Sequence, residues 1–128
     1  GFFNSTLVAR LRQKLGKVNS TPMTLMFDAP AETVMFIGWT LQEQFTWRSG
    51  EAGQPPILLE LKFLERNFVA EDGVQVTHNH MFRPTGTPAG TGFSTLNPTY
   101  PGWRRMLIST SSGDTKIYEE VDLNAIFG

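Results

Sequence analysis

Cysteine is absent from the 128 residues, and histidine occurs only twice. Thiolate catalysis, cysteine-ligated zinc and iron–sulfur chemistry are therefore excluded, and no disulfide can hold the fold. The longest apolar runs fall far short of the roughly 20 residues a membrane helix needs, so no membrane partner is expected. No signal-peptide pattern is visible. The chain opens at Gly1 rather than Met, as expected of a processed form or of part of a longer polypeptide. Charge of one sign is lacking too: eleven basic residues face twelve acidic ones, for a net charge of −1. That balance gives no electrostatic footprint for a phosphate backbone, and nucleic acid is not an expected partner.

Aromatic residues, by contrast, are plentiful. Ten Phe and three Trp in a chain that is 40% hydrophobic supply one aromatic-rich core, in a length typical of a single domain. A helix is expected over 4–15. Asn4 or Ser5 can cap it, Leu7, Val8, Leu11 and Leu15 recur at helical spacing, and Gly16 stops it. Arg10, Arg12, Lys14 and Lys17 are read as solvated residues that complement the helix C-terminal dipole.

Beyond residue 20 the pattern turns to strands. Short apolar runs at 24–27 and 33–39 are bounded by turn formers, and 42–47 reads as a more polar strand before a loop over 48–56. From Ile57 to Phe68, residues Ile57, Leu59, Leu61 and Phe63 alternate with Leu58, Glu60, Lys62 and Leu64, the period of a half-buried strand. Glu71-Asp72-Gly73 is a turn, Val74 to Met81 alternates again, and 108–117 reads as a hairpin with Ser111-Ser112-Gly113-Asp114 at its tip. The expected fold is mainly β: one domain over 1–128, an antiparallel β-sandwich or barrel over 22–127, with one short N-terminal helix.

No catalytic constellation emerges. His78 and His80 on one strand would share a face, but a third metal ligand, such as Glu60 or Asp122, is not singled out. They are read as hydrogen-bonded strand residues. No serine sits in a nucleophile-elbow pattern, and the glycines of 83–92 lack the Gly-Lys-Ser/Thr of a phosphate loop. Glu119 and Glu120, adjacent on a strand, point to opposite faces and cannot act together on one substrate. No enzyme, cofactor or metal is expected. Trp39, Trp47, Trp103, Tyr100 and Tyr118 are read chiefly as core, with a sugar-stacking platform as the alternative. Arg104-Arg105 is read as a solvated edge.

Five stretches carry a resemblance: Thr33-Val34-Met35-Phe36-Ile37-Gly38, Leu59-Glu60-Leu61-Lys62-Phe63, His78-Asn79-His80-Met81-Phe82-Arg83-Pro84, Gly102-Trp103-Arg104-Arg105, and the terminal run from Ile117-Tyr118-Glu119-Glu120 to Phe127. Over roughly 33–127 the chain resembles phage and prophage-like proteins of planctomycete genomes. Their shared motifs read LFLG, WxITYxF, NHxFRP, GWxxL and IYExxDFxxLF, in that order. This chain departs from them in having Leu123 where Phe is usual, and a longer loop between Pro84 and Trp103.

The resemblance brings no catalytic residue with it. What it implies is a virion-associated structural subunit of neck, tail or capsid surface, assembled in the host cytoplasm as a homo-oligomer with other virion proteins. On that reading the 84–101 loop and the 117–127 segment are the expected intersubunit contacts. The interface candidates are Trp103, Arg104, Tyr118, Val121, Leu123, Ile126 and Phe127. A carbohydrate-binding, adhesin-like β-sandwich is the alternative.

Overall fold

The computed structural model describes residues 5–43, 57–88, 90–94 and 100–128. The expected cap Asn4, the loop over 48–56, Trp47 and parts of the 83–101 loop lie outside the described residues. Helix α1, Ser5–Lys14, buries Leu7 and Leu11 and leaves Leu15 exposed beyond its end. Gly16 follows in the left-handed region at φ 75°, and its N–H donates to Phe36 O at 2.7 Å, which ties the helix end to a strand.

That strand belongs to a four-stranded sheet built from β1 (Val18–Asn19), β2 (Val34–Glu43), β3 (Ile57–Glu65) and β10 (Glu120–Val121), in the order β10-β1-β2-β3. The β2–β3 ladder is the longest among the described residues, and a bulge interrupts it between Phe36 and Gly38. The bulge is legible in the composition of β2. Val34 and Phe36 fall on even positions, whereas Trp39 and Leu41 fall on odd ones, so one extra residue must enter for all four to share a face. Ile37 is that residue and is exposed, and Gly38 takes φ 152° beside it. Phe36 and Trp39 then stack with ring centroids 6.2 Å apart, and Phe36 also meets Phe63.

The remaining strands pair as hairpin-like ladders: β4 (Phe68–Val69) with β5 (Gln75–Val76), β6 (His80–Arg83) with β7 (Gly102–Arg105), and β8 (Leu107–Thr110) with β9 (Gly113–Lys116). A 3₁₀ turn, Leu123–Ala125, capped by the Asp122 side chain, closes the chain. The fold is mainly β with one short N-terminal helix, as expected; no sheet closes into a barrel among the described residues. One ladder departs from the antiparallel rule. β1 and β10 run parallel, which the long stretch of chain between them permits.

The apolar core comprises Leu7, Leu11, Met23, Ala29, Val34, Phe36, Leu123 and Ile126, with Trp39, Leu59, Leu61, Phe63 and Val121 packed against it. The two ends of the chain thus cover one face of the sheet together. Asn124 reinforces the closure: its Oδ1 accepts from Thr24 N and Leu25 N, and its Nδ2 donates to Pro22 O. Arg10 donates to Phe127 O at 2.9 Å.

Candidate functional site

The sequence-picked interface residues divide sharply. Leu123 and Ile126 are 0% exposed and packed in the chain's own core. The stripe of α1 needs an apolar cover, and the terminal segment supplies it intramolecularly. Val121 is partly buried against the same cluster. Phe127 and Tyr118 remain exposed. Arg104 is not a solvated edge residue: it pairs with Asp72 at 3.3 Å and lies over the Tyr100 ring at 5.6 Å.

Trp103 sits at the centre of a surface the sequence did not outline. Its ring meets Phe68 edge-on at 5.5 Å and Phe82 at 5.6 Å, and the Arg66 guanidinium lies over it at 5.3 Å. Phe68, Val69, Met81 and Phe82 are all large apolar side chains left exposed. A shallow depression of about 390 Å³ runs beside them between Arg66, His78, Met81, Phe82, Trp103, Ile117 and Tyr118. The register of β6 on β7 makes this cluster, since Phe82 faces Trp103 directly across the ladder.

On its other side Trp103 lines a second cleft of about 380 Å³ with Asp72, Val74, His80, Ser94, Tyr100, Arg104 and Arg105. Next to Trp103, a Cβ on Gly102 would meet the Asp72 carboxylate and crowd the Arg104 guanidinium.

Behind the cleft lies a buried polar cluster. Glu32, with φ 68°, is a non-glycine residue in the left-handed region. Its carboxylate accepts from both terminal nitrogens of Arg105 at 2.5 Å and from Lys116 at 2.8 Å. Burial alone would push its pKa up, but the hydrogen bonds and charges of Arg105 and Lys116 outweigh that and hold it at about 2. Lys116 also contacts Glu120, so two acids and two bases form one network.

The histidines do not form the shared face expected of a strand pair. Residues 78 and 79 make a turn ahead of β6, and each ring is held separately. His78 Nε2 bonds Leu64 O at 2.8 Å, whereas His80 Nδ1 accepts from Thr77 N at 3.2 Å. Burial lowers the pKa of both, with the nearby Arg66 charge adding to the effect at each. Among the described residues no group of three or more His, Asp or Glu is placed to hold a metal ion. Asn79, fully buried, exchanges two hydrogen bonds with the backbone of Tyr118.

Arg83 is the most unusual member of this region. Its side chain is 0% exposed, and among the described residues all three guanidinium nitrogens lack a hydrogen-bond partner. In the sequence it stands at the start of a loop and within the His78–Pro84 stretch of the resemblance, with no role of its own assigned. Arg before Pro gives no signal of burial.

Comparison of the chain with protein-family models, with curated proteins and with solved structures finds no match.

Proposed function

We propose that this chain is a non-enzymatic structural subunit of a phage or phage-like particle, acting by assembly with copies of itself and with other virion proteins. The observation that supports the reading best is the exposed aromatic surface centred on Trp103, with Phe68, Phe82, Met81 and Tyr118 around it. Contiguous apolar surface of this kind marks interaction sites, and Trp beside Arg is the composition of interface anchors. The contact surface is accordingly shifted from the chain terminus, whose Leu123 and Ile126 are internal, to the β6–β7 ladder.

Light scattering and negative-stain microscopy of the untagged chain test the proposal. Discrete assemblies are expected, and Phe82→Ser should reduce them while circular dichroism stays unchanged. Assemblies indifferent to substitution across the Trp103 surface would refute that contact assignment.

One observation favours a second reading, a carbohydrate-binding module. Tyr100 and Trp103 line the same cleft as Asp72 and Arg104, which combines flat apolar faces with a planar acceptor and a planar donor. A monomer that binds a glycan and loses it on Tyr100→Ala would favour this reading over the first.

A further inference from the structure

Strand β3 lies at the edge of the four-stranded sheet, with β2 as its one neighbour. It runs for nine residues, Ile57–Glu65, and among the described residues nothing pairs with its outer side. A long edge strand left open is a ready template for another strand. We propose that β3 pairs antiparallel with β3 of a second copy, about a two-fold axis through Leu61, to join two four-stranded sheets into one.

The inference rests on the proposed assembling subunit and adds a second contact, separate from the Trp103 surface, by which two copies meet. Its support is the self-complementarity of the strand. In an antiparallel ladder, facing residues direct their backbone groups at each other, and those groups alternate along each strand. A two-fold axis relating identical strands must therefore pass through a residue, not between residues. Leu61 is the middle of β3, so the axis there pairs the whole strand; an axis at Glu60 or Lys62 shortens the ladder at both ends.

Side chains choose the same register. About Leu61, Glu60 faces Lys62 of the second copy and Lys62 faces Glu60, on the exposed side of the strand. Leu58 faces Leu64, and these two side chains are 43% and 52% exposed in the single chain, so each gains a cover. On the core side Leu59 faces Phe63 and Leu61 faces itself. An axis at Glu60 would set glutamate against glutamate, and one at Lys62 lysine against lysine. Opposite charges directly across a ladder stabilise it and like charges destabilise it. Backbone length, charge and apolar cover thus agree on one register.

The test is a charge swap on the full chain, read as a dimer dissociation constant by sedimentation velocity. Glu60→Lys alone, or Lys62→Glu alone, sets two like-charged pairs across the axis and should weaken the dimer by about tenfold. The double variant Glu60→Lys/Lys62→Glu restores opposite charges and should recover the wild-type constant. All positions are solvent-exposed, so circular dichroism should not change. Single variants that dimerise normally, or a double variant that stays weak, would overturn the β3 contact. Assemblies that persist unaltered through the whole series would overturn it while leaving the assembling-subunit reading in place. A wild-type chain that is monomeric throughout would remove both.

Discussion

The two flanks of this molecule are stabilised by different physics. Around α1 and the closing 3₁₀ turn, eight buried apolar residues form one cluster, and their contribution comes from area removed from water. Around residues 77–83, burial falls instead on Thr77, His78, Asn79, His80 and Arg83, with Glu32 behind them. For all of these except Arg83, hydrogen bonds replace the water that burial removes. The first region depends on volume and cover, the second on directional partners and on charge state. Only the second should therefore respond to pH.

The largest effect should come from the apolar side. Deleting residues 123–128 removes Leu123 and Ile126, both fully buried, and opens the face of α1. Each such side chain is worth about 2–5 kcal/mol, and whole domains have only about 5–15. The truncated chain should lose its near-ultraviolet dichroism and cooperative melting. A truncated chain that still melts cooperatively would mean that the terminus is not the cover of the core.

Acid should act on the polar side in two stages. Both histidines have folded-state pKa values below 6.5, so their neutral forms favour folding fully above pH 6.5, and that stability declines as pH falls below it. Protonating His80 at Nδ1 also removes the acceptor used by Thr77 N. Glu32 has a folded value of about 2 against 4.5, so its contribution is complete above about pH 4.5 and is lost as pH falls toward 2. The gap corresponds to roughly 3–4 kcal/mol. Glu32→Gln should flatten the lower limb of a melting-temperature profile, and His80→Gln should reduce the upper one. A profile unchanged by both would contradict the electrostatic account of this region.

Arg83 sharpens the contrast from the opposite direction. A buried guanidinium with no partner costs stability, and a well-packed apolar replacement commonly returns about 1–4 kcal/mol. Arg83→Met should raise the thermal midpoint. A fall would show that the guanidinium gains a partner in solution. The smallest effect is expected at Asn124→Ala, which takes the acceptor from Thr24 N and Leu25 N in an exposed setting; about 1 kcal/mol is anticipated by chemical denaturation.

Much of the apolar side was legible along the chain. Leu7 and Leu11 follow helical spacing, Gly16 ends the helix, and the alternation of β3 separates Leu59, Leu61 and Phe63 from Leu58 and Leu64. The polar side was not. Glu32 meets Arg105 and Lys116 across separations of 73 and 84 residues, and no local pattern encodes such a meeting. His78 and His80 read as a strand pair because alternation over 74–81 cannot reveal that a turn intervenes.

By itself, then, the sequence determined the mainly-β class, the single short helix and the core-facing side of its longest edge strand, because periodicity is a local property of adjacent residues. Tertiary structure alone decided that the terminal apolar segment is consumed within its own subunit. It decided likewise that Trp103 gathers Phe68 and Phe82 at the surface, and that Arg83 is buried. Those outcomes depend on which distant segments meet, and a residue's apolarity says that it needs a cover but not which surface provides one.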